Sequence, residues 1–190
     1  MSAIRRWIFW IKRFRAAQAG AAAVEFALIL PIMLLLYIGA NEASVLITMD
    51  RKVQMVSGAV GDLVARAEEE IATATLADYI KVASGLVSPF AAKDMVQIVT
   101  QVQVAADGSA KVDWSKGYKN QVAFSAMDRV KGSTVKLPVA VSNVAKGRYV
   151  IIAETSLPYI PLYGIVYTAP ITLYRENYYL PRFDGPIAIK

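Results

Sequence analysis

Residues Ala21 to Ala40 constrain this chain more than any other feature: 20 consecutive residues carry a single charge, Glu25. At about 1.5 Å per residue a helix of that length covers roughly 30 Å, the thickness of a bilayer's hydrocarbon core. Ten of the 20 are Val, Ile, Leu or Phe. Each of those favours insertion by roughly 0.3 to 0.6 kcal/mol, while a carboxylate at mid-span costs roughly 2.5 to 3.5 kcal/mol and one near the end less. Insertion therefore wins despite Glu25. Pro31 has no backbone donor and leaves the Ala27 carbonyl without its helical partner, which predicts a kink or local unwinding.

Charge sets the expected orientation. Arg5, Arg6, Lys12, Arg13 and Arg15 precede the span without an acid among them, whereas residues 41–60 hold Arg51 and Lys52 beside Glu42 and Asp50. A basic flank stays on the cytoplasmic side, so the N-terminus is expected there and the bulk of the chain outside. The same leader accounts for most of the net charge of +6: it holds five of 21 basic residues and none of 15 acidic ones, leaving 16 against 15, or +1, for the remainder. So neutral a remainder offers no broad phosphate-binding surface, and nucleic acid is set aside. The chain has no cysteine and no histidine, which excludes disulfides, thiolate nucleophiles, Ser-His-Asp triads and nearly all zinc sites. No Gly-x-Ser-x-Gly elbow, Walker-A loop or EF-hand spacing frames the remaining Ser-Lys or carboxylate chemistries. The expectation is a nonenzyme without cofactor, metal or small-molecule substrate.

Beyond the span the helical pattern continues over residues 41–70. Leu46, Met49, Val53, Val56, Val60 and Leu63 recur every three or four residues, an apolar stripe expected to lie on the globular domain while Asp50, Arg51, Lys52, Asp62 and Arg66 face solvent. Gly58 and Gly61 each weaken a helix by about 1 kcal/mol relative to Ala, so a bend is expected there. Glu68 to Glu70 reads as a solvated charge run rather than a calcium site. Thr75 and Asp78 have capping-box spacing, predicting a short second helix from Thr75 that stops before Ser88-Pro89. The period then becomes two: Val96, Ile98, Thr100, Val102 and Val104 alternate outward, Asp107-Gly108 turns, and Ala110, Val112 and Trp114 alternate back. Residues 148–157 and 171–180 predict two further strands, separated by a proline-containing loop or broken strand from Pro158 to Gly164, and residues 117–136 read as loop with one short element. The fold class expected is α+β: a long N-terminal transmembrane helix continuing into a domain of residues 71–190 with an antiparallel sheet of about four strands.

The run Arg15-Ala16-Ala17-Gln18-Ala19-Gly20-Ala21-Ala22-Ala23-Val24-Glu25-Phe26-Ala27-Leu28-Ile29-Leu30-Pro31 resembles the N-terminal signature of the TadE and TadG family, pseudopilin-like proteins of tight-adherence (Flp, type IVc) pilus systems. Asp50 to Val53 with Asp62 to Ala65, Val112 to Ser115, Leu137-Pro138, Leu157 to Pro161, Pro170 to Leu173 and Tyr179 to Arg182 look like that family's downstream pattern. The resemblance implies a pilin-like fold, cleavage by a prepilin peptidase between Gly20 and Ala21 after the basic leader of residues 1–20, and Glu25 as the fifth residue of the mature chain. Glu25, with Phe26 beside it, would then set register between subunits, its carboxylate meeting the new N-terminal ammonium of a neighbour because an unpaired acid in lipid is costly. The bland alternative has Glu25 at the cytoplasmic interface, snorkelling out of the bilayer.

Further alternatives stay open. Some family members keep their N-terminus, and this leader, with Trp7, Ile8, Phe9, Trp10, Ile11 and Phe14 among its basic residues, would then persist as an interfacial helix. A signal-peptidase cut after Ala40 is the weaker option, because Ile38 is large for its place and the apolar core is long. Glu42 reads as a register or interface residue, and Tyr159, Tyr163, Tyr178 and Tyr179 as either a contact surface or ordinary strand tyrosines. The resemblance thus implies a minor pilin or pseudopilin of the bacterial inner membrane, with its C-terminal domain periplasmic or carried into a pilus, acting in assembly and surface adhesion. Its expected partners are the prepilin peptidase, other pilins, Tad inner-membrane assembly proteins and membrane lipid. The alternative is an uncleaved, membrane-anchored periplasmic accessory protein docking on the secretion machinery.

Overall fold

The computed structural model describes residues 18–165 and 168–190, so all of the basic leader up to residue 17 lies outside the described residues. Helix α1 runs Gln18–Ala65 without interruption, and Pro31 sits inside it. Two compact units share the chain, one reaching to Ser44 with Leu162–Thr168 added, the other made of Val45–Pro161 and Ala169–Lys190.

In the larger unit, α1 contributes Met49, Val53, Val56, Val60 and Val64 to the main core. Val64 rather than Leu63 completes the stripe, since Val64 is fully buried while Leu63 is half-buried. Gly61 has a reason other than a bend. A Cβ there would fall 2.4 Å from Tyr179 Cε2 and 3.1 Å from Ala153 Cβ, so only glycine admits the tyrosine ring against the helix. Ser57, also buried, donates to the Ala153 carbonyl at 2.7 Å. The charged residues expected to face solvent are partly tethered instead. Asp50 pairs with Arg175 at 2.5 Å, Lys52 donates to the carbonyls of Leu86 and Ser88, and Asp62 pairs with Arg66 and Arg182. Those contacts hold Asp62 below the usual carboxylate range, the Arg66 hydrogen bond most strongly.

Strands β1 (Glu70–Ile71), β2 (Val96–Val104), β3 (Ala110–Lys119), β4 (Val122–Ala123), β5 (Thr134–Val135), β6 (Tyr149–Tyr159), β7 (Ile171–Tyr179) and β8 (Ala188–Ile189) complete the β structure. The main sheet is antiparallel with six strands in the order β4-β3-β2-β6-β7, β5 pairing with β3. Its four long strands are those read from the sequence; the two-residue β4 and β5 lie within the stretch read as mostly loop. Between Gln101 and Val102 the β2–β3 register slips by one residue at Asp113, and Gln101 uses the bulge to donate to Asp113 at 2.8 Å. Pro158 stays in strand because β6 has passed the end of its pairing with β2 at Ser156 and is bonded only to β7 there.

Helix α2 spans Thr73–Ser84, two residues earlier than expected, and its N-cap Ala72 makes no side-chain cap bond. Thr75 is therefore not a cap; the start is fixed by Thr73, whose backbone and hydroxyl both donate to the Lys190 carbonyl, at 2.7 and 2.8 Å. The chain's last residues are held by the parallel β1–β8 pair and by Ile187, whose N–H donates to Gln101 at 2.9 Å and whose carbonyl accepts from Trp114 at 2.6 Å. A helix not expected from the sequence, α3 (Val139–Val144), adds Val141 to a second core cluster with Val102, Val104, Val112, Val150 and Ile152.

Candidate membrane and assembly segment

The N-terminal part of α1 is apolar all round. Phe26, Leu28, Ile32, Leu36 and Tyr37 are each more than half exposed, and the stretch of α1 long and apolar enough to cross a membrane is 0% buried. An exposed surface of this kind, apolar apart from Glu25, fits a helix that crosses a bilayer. Gly20, Ala21 and Glu25 lie on this exposed helix, Gly20 with open space around the position of a Cβ.

Glu42 lies 21 residues beyond Ala21, about 31 Å of helix at roughly 1.5 Å per residue. It is only 1% exposed. Its Oε1 accepts from the backbone N–H groups of Tyr163 and Gly164, at 2.9 and 3.1 Å. Gly164 has φ +60°, a left-handed conformation that glycine adopts without strain as the chain leaves this contact. Burying a carboxylate is tolerable when charge-assisted bonds replace water, and these two do so at Oε1.

Glu42 and Tyr163, named separately from the sequence, are thus brought together, but through the tyrosine's backbone. The Tyr163 side chain is 51% exposed. Tyr159, at 3% exposed, is part of the main core at the end of β6, in line with the ordinary strand-tyrosine alternative. Tyr179 is also half-buried and packs over Gly61.

On one face of the sheet is a polar cluster that sequence reasoning missed. Glu154, 6% exposed, receives both guanidinium nitrogens of Arg129 at 2.5 and 2.9 Å, and Arg129 also reaches the buried Thr100 hydroxyl at 3.0 Å. The Tyr174 hydroxyl, with one proton to offer, stands 2.6 Å from Glu154 and 2.9 Å from Glu176; Tyr178 donates to Glu176 at 2.6 Å. Burial first and the adjacent carboxylates second hold both phenols well above the usual tyrosine range. The only sequence signal was a charged residue inside an otherwise apolar strand, Glu154. Its counter-ion lies in the stretch that had no readable period.

Comparison with known families bears on the exposed helix. The family described as TadE-like protein matches residues 20–59. This segment is TadE-like. The match begins at Gly20 and covers the apolar helix, Glu25, Phe26, Glu42 and the first part of the buried stripe; the runs from Asp62 onward that looked like the family's downstream pattern lie beyond it. Searches of curated proteins and of solved structures returned no match. The match covers 40 of the 190 residues, and likeness to a family of Tad pilus-associated proteins is what it shows for that segment. Together with one apolar helix able to cross a bilayer, it fits a single-pass membrane protein.

Proposed function

We propose that the chain is a noncatalytic pseudopilin or minor pilin of a tight-adherence pilus, inserted in the inner membrane with its N-terminus cytoplasmic, and acting in pilus assembly and surface adhesion. The observation that carries this reading is a coincidence of position: the TadE-like match begins at the glycine that precedes, by five residues, the one acid of the exposed apolar stretch 21–40. A prepilin peptidase cuts between Gly20 and Ala21, where two small residues allow close approach to the scissile bond. The cut leaves an ammonium on Ala21 and Glu25 at the fifth position. In the packed state Glu25 meets the ammonium of an adjoining pilin, which offsets the cost of keeping a carboxylate in hydrocarbon and fixes the axial step between subunits. Phe26 packs beside that contact.

N-terminal sequencing of protein extracted from membranes that contain active prepilin peptidase is expected to begin at Ala21; an intact Met1 would leave the accessory-protein alternative in its place. Glu25→Gln is expected to insert normally and to fail in assembly, because it keeps the size of the side chain and removes its charge. Wild-type pilus number in that variant would reduce Glu25 to an interfacial residue.

A further inference from the structure

The geometry points to a second lipid-contacting element: the loop residues Leu162, Tyr163 and Ile165 enter the outer surface of the same bilayer that α1 crosses, held there by Glu42. This inference rests on the reading of residues 21–40 as a membrane span. Three observations carry it. Leu162, Tyr163 and Ile165 are 74%, 51% and 54% exposed, an apolar patch within a compact unit whose other described part is the exposed helix up to Ser44. Glu42 ties the backbone of that patch to the helix at a defined depth, about 31 Å beyond Ala21, where a hydrocarbon core of roughly 30 Å gives way to headgroups. The sequence around the loop is also fit for that depth: from Thr155 to Tyr174 there is no charged residue.

Lipid is the occupant these facts select. The patch continues an apolar surface already committed to lipid, and a tyrosine beside leucine and isoleucine is the composition that favours the interface, with the ring in hydrocarbon and the hydroxyl in the headgroups. Glu42 has a clear part in this. A carboxylate at the outer end of a span would ordinarily turn to water; here it is spent on two backbone N–H groups that would otherwise be carried unbonded toward lipid. The loop is thereby able to lie against the bilayer without leaving those donors unsatisfied.

The chain has no cysteine, so one introduced thiol gives one spin label. The full chain is reconstituted into vesicles of phosphatidylethanolamine and phosphatidylglycerol as Leu162→Cys, Leu28→Cys or Val122→Cys. Leu28 is an exposed position on the span, and Val122 an exposed one in the larger unit. Power-saturation spectra then compare access of oxygen, which partitions into lipid, with access of a water-soluble nickel chelate. The expected result is a ratio of oxygen to chelate access several-fold higher at Leu162 than at Val122, approaching that at Leu28. Chelate access at Leu162 equal to that at Val122, with Leu28 in lipid, overturns the proposal and leaves the span intact. Poor access to both reagents at Leu162 means that protein covers the patch, and overturns it too. If Leu28 itself meets the chelate, the reading of residues 21–40 falls first.

Discussion

Residues 24–37 and 49–64 of α1 are both rich in Val, Leu, Ile and Met, yet they meet opposite surroundings. The large apolar side chains of the first set are 38–70% exposed, whereas Met49, Val53, Val56, Val60 and Val64 in the second are 0–7% exposed. The pattern around the helix, more than the amount of apolar surface, tells them apart. Apart from Glu25 the first set is apolar on every side, which suits an apolar solvent; the second is apolar on one stripe, which suits one protein face. The acids differ in the same way. Glu154 is buried and compensated inside its own chain by Arg129, while Glu25 stands on the exposed helix, where the proposed assembly would bring compensation from another molecule.

The sharpest way to break this comparison uses two methionines of one helix. Met49→Ala removes a buried side chain and is expected to cost about 2 to 5 kcal/mol of the larger unit's stability. Met33→Ala, at a 55% exposed position, is expected to stay within about 0.5 kcal/mol. Denaturant titration in detergent micelles, followed by Trp114 fluorescence, measures both; equal losses would mean that the two stretches share one environment.

Arg129→Met tests the internally compensated acid. It strands the buried Glu154 carboxylate, and because the Arg129 side chain is itself 31% exposed, the expected loss is about 2 to 3 kcal/mol, short of the full cost of breaking a deeply buried pair. The double variant with Glu154→Leu is expected to recover much of it. A single variant as stable as the wild type would remove the contrast with Glu25.

The smallest effect is on pH. The Tyr174 and Tyr178 phenols are held above their ordinary value, so their contribution to stability is fully present below the unfolded value of about 10 and is lost as pH rises through the folded value. Denaturation midpoints are expected to fall as pH rises above about 10, and to fall less steeply in Tyr174→Phe. Parallel pH dependences in the two proteins would contradict a Tyr174 phenol raised by burial first and its carboxylate neighbours second.

Much of the fold was legible because period carries it. The all-round apolar run and the stripe from Met49 onward state their surroundings residue by residue, and period two located β2 and β3; it did not give the burial of β2, where Gln97 and Gln101 are buried and Val96 and Ile98 only half-buried. What could not be read depends on contacts far apart in the chain. Gly61 looked like a weak point until Tyr179, from the last long strand, was seen to occupy the space it leaves. Thr73 begins a helix without a local cap because Lys190 supplies its acceptor. Of the candidate segment, Gly20, Ala21, Glu25 and Phe26 were legible in one short run, since their meaning is local. The tie of Glu42 to Tyr163 and Gly164 was not, because it joins a side chain to a backbone more than a hundred residues away, and backbone donors leave no mark on a sequence.

The central claim, that α1 meets lipid in its first part and protein in its second, is tested most directly by hydrophobic carbene labelling from within the bilayer, with insertion sites mapped by mass spectrometry on the reconstituted chain. Label is expected on Val24 through Tyr37 and absent from Val53, Val56 and Val60. Equal labelling of the two stretches, or none on the first, would contradict it.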